Sequence, residues 1–211
     1  MRITFFGPPG SGKGTQADRI SAYFDLQHIS TGMLCREEIK SGSELGKRIR
    51  EIVESGYLVS DGIINEEVFN KIENIDSFLL DGYPRNLSQA KFLDEFLENA
   101  GKPLSGAVFI HIPDEEVISR LTGRLVCACS NGSGNIISNR RKEGDICPVC
   151  GEPFMKRSDD SLEILKNRLR HYHNLTRHLE SYYKNRLLEI DGLGTVDQVN
   201  ERIRKELMVW E

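Results

Sequence analysis

The chain has 211 residues and a formal net charge of −4, from 28 basic and 32 acidic side chains. That length suits one domain carrying inserted lobes, and the ordinary apolar content suits a soluble globular core. The acidic balance gives no general reason for a nucleic-acid or membrane-surface partner, so a site for anions must come from a local cluster of basic groups. No segment approaches the ~20 consecutive apolar residues of a membrane span. The N-terminus runs straight into a motif and does not read as a signal peptide, so the expected location is the cytoplasm. Five cysteines are present. Four of them (Cys127, Cys129, Cys147 and Cys150) lie close together, and in a reducing compartment such a cluster points to metal ligation before disulfides.

Arg2–Phe6 reads as a strand ending at a glycine loop, and Lys13–Phe24 as a helix. A short extended piece at His28 turns into a helix over 33–40, followed by another over 44–55. Residues 74–81 end in the strand-like run Phe78-Leu79-Leu80-Asp81, then the breaker Gly82-Tyr83-Pro84 and a helix over 88–99. Residues 106–112 form another apolar run, with a helix from Pro113 to about Thr122. A strand over 187–190 and a helix over 196–208 close the pattern. Continuous apolar runs alternating with amphipathic helices predict an α/β fold with a parallel sheet covered on both faces. Ligands on such sheets bind beyond the carboxyl ends of the strands. Two segments break the rhythm: 30–60, which is helical without a strand, and 123–160, which is irregular and rich in Gly, Asn and Cys. Both are expected to be lobes inserted into the core.

Gly7-Pro8-Pro9-Gly10-Ser11-Gly12-Lys13-Gly14-Thr15 lies between the first strand and the first helix. Glycines allow backbone N–H groups to converge on one anion, and the helix N-terminus adds partial positive charge. Lys13 supplies a point charge at β/γ phosphates and Thr15 a hydroxyl near magnesium. A glycine turn that binds nothing is the plainer alternative, but the strand, helix, lysine and threonine argue against it.

Further residues define an acceptor side. Ser30 and Thr31 are natural helix caps, and Arg36 follows one turn into the helix. Asp81, at the end of a buried strand, is placed to hold magnesium or its waters. Arg85, after the Gly-x-Pro turn, could fork onto a phosphate. Arg120, Arg124, Arg157 and Arg168 bracket the irregular segment and suggest a clamp on charge developing during phosphoryl transfer. Arg140, Arg141 and Lys142 read instead as a solvated basic face. Cys147-Pro148-Val149-Cys150-Gly151 is a metal knuckle. With Cys127 and Cys129, spaced by one residue instead of two, it forms an expected four-thiolate structural zinc site. Cys35 reads as an ordinary semi-buried residue, and His28, His111, His171, His173 and His178 as structural or surface groups.

The motifs GPPGSGKGTQ (7–16), HISTGMLCR (28–36), LDGYPR (80–85), Gly123-Arg124 and Arg157-Ser158-Asp159-Asp160, in that order, resemble the adenylate kinases of the long bacterial type with a zinc-bearing lid. The resemblance runs over nearly the whole chain. It implies the P-loop nucleoside monophosphate kinase fold, with core segments 1–29, 60–122 and 161–211, an acceptor lobe 30–59 and a lid 123–160. It implies the magnesium-dependent reaction ATP + AMP = 2 ADP. On it, Gly10, Ser11, Gly12, Lys13, Gly14 and Thr15 hold the ATP phosphates, with Arg124 at the lid hinge and the chain near Gly194 against adenine. Thr31, Arg36, Tyr57, Leu58, Val59, Gly82, Tyr83, Pro84, Arg85 and Gln89 hold AMP. Arg157 and Arg168 reach the transferring phosphates, and Lys13, Arg85, Arg124, Arg157 and Arg168 surround the group in flight. One departure stands out: Met33 occupies the place where the family has an aspartate that helps hold magnesium-bound water, which leaves more of that task to Asp81. A monomer is expected, since nothing in the sequence demands a partner. The competing reading is a phosphate-loop ATPase or switch whose zinc knuckle binds nucleic acid; the acidic balance and the lack of a basic-aromatic stripe argue against it.

Overall fold

The computed structural model describes residues 1–127 and 141–210, with the backbone of residues 136–137. In chain order, β1 (Arg2–Phe6) leads through the glycine loop to α1 (Lys13–Phe24), and β2 (Gln27–Ser30) runs directly into α2 (Thr31–Ser41). Next come α3 (Glu44–Glu54), α4 (Asp61–Ile72), β3 (Phe78–Asp81), α5 (Leu87–Asn99), β4 (Gly106–His111) and α6 (Asp114–Thr122). The segment 123–160 holds β5 (Arg124–Val126), β6 (Ile136–Ile137) and β7 (Met155–Lys156). The chain closes with α7 (Leu162–Asn174), the short α8 (Leu179–Tyr183), β8 (Leu187–Asp191) and α9 (Val196–Leu207).

Five strands form one parallel sheet in the order β2-β3-β1-β4-β8. Their side chains alternate between two apolar layers, which is why β3 and β4 read as nearly continuous apolar runs. Ile3, Phe5, Leu79, Val108 and Ile110 pack with Ala17 and Ile20 of α1 and Val199 and Ile203 of α9. Phe6, Phe78, Leu80 and Phe109 pack on the opposite face with Val68 of α4, Leu93 of α5 and Tyr183 of α8. β1 lies between β3 and β4, so the loop after it emerges at the centre of the sheet's carboxyl edge.

Helix α4 is an element beyond those expected from sequence; Ile64, Val68 and Ile72 recur every fourth residue and form its buried stripe. The segment expected to be irregular contains a second, antiparallel sheet in the order β6-β5-β7. Its strands span only two or three residues, too few for an alternation to show. Ser30 and Thr31 do not cap α2 with their side chains. Ser30 donates to Asp81 Oδ2 at 3.1 Å, and Thr31 donates to the carbonyl of Gly82 at 2.9 Å. Both hydroxyls therefore tie β2 to the end of β3. Among the described residues, no helix is long and apolar enough to cross a membrane.

Candidate functional site

A cleft opens at the carboxyl edge of the parallel sheet. Gly10, Gly12, Lys13, Gly14 and Thr15 line it from the glycine loop, and Thr31, Arg36, Tyr57, Leu58 and Val59 from the segment after β2. Asp81, Gly82, Pro84, Arg85 and Gln89 line it from the end of β3, and Arg124, Arg157 and Arg168 from the far wall. Residues up to 158 positions apart in sequence thus converge on one cleft. Three expected site residues stand back from the lining. Ser11 is buried beneath the loop. Tyr83 is fully buried, and its hydroxyl donates to Asn65 Oδ1 at 2.7 Å. Gly194 packs near Gln198. Arg120 does not join the other arginines: it pairs with Glu116 at 2.6 Å and donates to the Gly192 carbonyl. Arg141 lays its guanidinium over Phe154, 5.0 Å from the ring centre, so it is not simply solvated; Arg140 lies outside the described residues.

The loop's shape follows from its glycines. Gly7 has a φ of 147°, and an added Cβ would come 2.5 Å from the Ile110 carbonyl oxygen. Gly12 begins α1 in the left-handed region, at φ 90°, which turns the following N–H groups toward the cleft. Lys13 Nζ donates to the carbonyls of Gly7 and Pro8 at 2.9 and 2.8 Å, so the lysine braces the loop around itself. Burial pushes its pKa down to about 8, against the pull of Asp81, and Arg85, Arg168 and Arg124 push in the same direction as burial. A part-buried ammonium near three guanidiniums is a pronounced concentration of positive charge in a net-acidic chain.

Two carboxylates organise the far wall. Asp160 accepts from Arg124 Nε at 2.6 Å and from Arg168 at 3.3 Å. Asp159 accepts from Arg157 at 3.1 Å and from Arg168 at 3.4 Å. Burial opposes ionisation of Asp159, but Arg157 and Arg168 hold its carboxyl below the usual carboxylate range. From sequence, Asp159 and Asp160 entered only as part of a motif; their partners are invisible without the fold. Arg36 is pushed down to about 10 by burial and then by Arg157 across the cleft.

His28 fits its expected structural role and is tied into the end of the sheet by two carboxylates. It shares a 2.9 Å contact with Asp18 through Nδ1, and its Nε2 faces Asp81 at 3.9 Å. Burial works against its charge, but the hydrogen bond to Asp18 and the nearby Asp81 carboxylate outweigh it and raise the pKa to about 9. Asp81 is correspondingly held low: burial opposes its ionisation, while His28, Lys13 and Ser30 favour it. Met33 and Cys35 also line the cleft, and burial raises the Cys35 thiol pKa.

Away from the cleft, the sulfurs of Cys127, Cys147 and Cys150 all lie within 4.8 Å of one another. Leu125 and Phe154 pack around them. A tight turn returns the chain, with the Gly151 N–H donating to the Cys147 carbonyl at 2.9 Å. Cys129, expected as the fourth thiolate, lies outside the described residues.

A family model described as Adenylate kinase matches residues 5–188. The chain is 42% identical over 205 residues to the adenylate kinase of Petrotoga mobilis, covering 96% of this chain and 95% of that protein. It is 42% identical over 213 residues to the adenylate kinase of Caldanaerobacter subterraneus subsp. tengcongensis, covering 99% and 96%. The adenylate kinase of Ruminiclostridium cellulolyticum is 39% identical over 212 residues, with 98% and 99% covered.

Proposed function

We infer the working of the cleft from one premise: the chain belongs to the adenylate kinase family and is a nucleoside monophosphate kinase with the corresponding phosphate-loop α/β fold. ATP is read as the donor and AMP as the acceptor. The terminal phosphoryl group leaves the bridging oxygen of ATP and bonds to a phosphate oxygen of AMP, giving two ADP. The observation that carries this reading is the convergence of Lys13, Arg85, Arg124, Arg157 and Arg168 on one cleft. Phosphoryl transfer needs positioning and charge neutralisation, with little covalent work from the protein.

In this reading Gly10 to Thr15 cradle the ATP phosphates with backbone N–H groups, and Arg124 meets them from the opposite wall. Arg36 and Arg85 take the AMP phosphate, while Thr31, Gln89 and the backbone at Tyr57, Leu58 and Val59 surround its nucleoside. Gly82, Tyr83 and Pro84 shape the acceptor floor; Tyr83 contributes through its backbone, its side chain being buried. Arg157 and Arg168 lie between the two nucleotides. Gly194 is assigned to the donor adenine on resemblance. Residues 30–59 form the acceptor lobe and residues 123–160 a lid whose closure keeps water from the phosphoryl group.

Magnesium, bound with ATP, supplies neutralising charge on the β and γ phosphates. The Thr15 hydroxyl and the ionised Asp81 carboxylate are the oxygen donors at the cleft that suit a hard cation. Structural zinc is assigned to Cys127, Cys129, Cys147 and Cys150; the three described sulfurs are close enough to share one ion and chemically suited to it. We read the protein as a cytoplasmic monomer without nucleic-acid or membrane partners.

The deciding experiment measures ADP formed from ATP alone, with AMP, and then with CMP, UMP or GMP. AMP-dependent formation of two ADP per ATP is expected. Hydrolysis that ignores the acceptor, or retention on RNA at physiological salt, would overturn the reading.

A further inference from the structure

We propose that Asp61 sets the base preference of the acceptor site by locking the side-chain amide of Gln89 in one of its two orientations. This rests on the reading above that Gln89 faces the acceptor base.

Asp61 is the first residue of α4, where the helix N-terminus favours a carboxylate. Its Oδ1 accepts two amide N–H groups, from Gln89 Nε2 at 2.7 Å and from Asn86 Nδ2 at 2.9 Å. Two backbone donors hold the other ends of those amides. The Arg85 N–H donates to Gln89 Oε1 at 2.7 Å, and the Gln89 N–H donates to Asn86 Oδ1 at 2.8 Å.

A backbone N–H can only donate, and a carboxylate can only accept. Turning over the Gln89 amide would set its NH₂ against the Arg85 N–H and its oxygen against the Asp61 carboxylate. Turning over Asn86 would create the same two clashes. The orientation is therefore dictated by its surroundings. Gln89 is 2% exposed, so water cannot repair a reversed amide, and each unmade buried bond carries its desolvation cost.

The locked amide retains one acceptor site on Oε1 and one donor on Nε2, in a fixed spatial order. On its N1 edge adenine presents the exocyclic amino donor beside the N1 acceptor, and a Gln amide can meet such a donor–acceptor pair with two hydrogen bonds, as it does elsewhere on adenine. A 6-oxopurine presents a carbonyl oxygen in place of the amino group and an N–H in place of the neighbouring ring acceptor. Against the locked amide, that arrangement sets acceptor on acceptor and donor on donor. An unlocked amide could rotate to suit it. Asp61 touches neither substrate in this arrangement and acts through Gln89, as a positioning residue.

The test compares kcat/KM for AMP and IMP, which differ at that amino group, in the native enzyme, Gln89→Ala, Asp61→Ala and Asp61→Asn. Folding of each variant is checked by thermal melting, and Asp61→Ser replaces Asp61→Ala if the latter melts early. Gln89→Ala is expected to collapse the AMP:IMP ratio. Asp61→Ala is expected to lower the ratio by roughly tenfold, the effect of about one hydrogen bond, through opposite changes in the two KM values. The KM for ATP should hold. Asp61→Asn, whose amide oxygen can replace Oδ1, should restore most of the ratio. If Gln89→Ala collapses the ratio while Asp61→Ala leaves it in place, or lowers both substrates equally, Asp61 is a mere brace and the proposal is wrong. If Gln89→Ala leaves the ratio unchanged, the acceptor-site reading fails and this inference falls with it.

Discussion

Arg124 and Asp160 form a two-point ion pair across the foot of segment 123–160, with Arg124 Nε and a terminal nitrogen meeting the two carboxylate oxygens. The side chains are 7% and 4% exposed, and Asp160 also holds Arg168. Removing one partner leaves buried charge uncompensated. Asp160→Asn should therefore lose about 3–5 kcal/mol of stability, a fall in Tm on the order of 10 °C. ATP should recover part of the loss, since a phosphate can take the carboxylate's place beside Arg124. An unchanged melting curve contradicts this account of the pair.

Arg85 lies at the end of β3, its Nε donating to the Gly82 carbonyl at 2.8 Å, which leaves its terminal nitrogens to face the cleft. Arg85→Ala should cost about 2–4 kcal/mol of transition-state stabilisation, a fall in kcat/KM of about 30- to 1000-fold. Arg85→Lys should recover little, because one ammonium cannot reproduce the fork. A near-native rate in Arg85→Ala would remove Arg85 from the reaction, and one in Arg85→Lys would remove the need for the fork.

The His28 contacts with Asp18 and Asp81 make stability depend on pH. The folded pKa of about 9 lies above the ordinary value of 6.5, so protonated His28 favours the folded state. The stabilisation is complete below pH 6.5 and is lost as pH rises through about 9, with a total on the order of 3 kcal/mol. Urea unfolding in magnesium-free buffer at pH 6 and pH 9.5 should show that loss in the native chain and a flatter profile in His28→Gln. Parallel profiles would assign the pH dependence to other groups.

Metal analysis of the purified protein should find close to one zinc per chain, the content of one tetrahedral site. Cys147, 2% exposed, is one of the three clustered thiols. Cys147→Ser should lose the metal and melt earlier, since metal binding here is also folding free energy. A metal-free chain of equal stability would leave the cysteines without a metal role.

Much of this was legible from local patterns. The sheet strands announce themselves because both faces are covered: Phe5 and Phe6 enter opposite apolar layers. The glycine loop is legible because its chemistry is contained in nine consecutive residues. Helix α4 carries its signal in a four-residue apolar spacing, Ile64, Val68 and Ile72. Strands β5, β6 and β7 carried almost none, being too short to show a period.

The order of the core elements, the phosphate-cradling loop and the set of cationic residues follow from local pattern, because apolar periodicity and glycine-lysine spacing are properties of neighbours along the chain. Which polar groups meet follows only from the packed fold. Asp61 reaches Gln89 across 28 positions, and Arg124 reaches Asp160 across 36. It also separated Arg120, tied to Glu116, from the arginines that face the cleft. Hydrogen bonds and ion pairs act over a few ångströms of space, and that proximity arises only when the sheet, its helices and the inserted segments have packed.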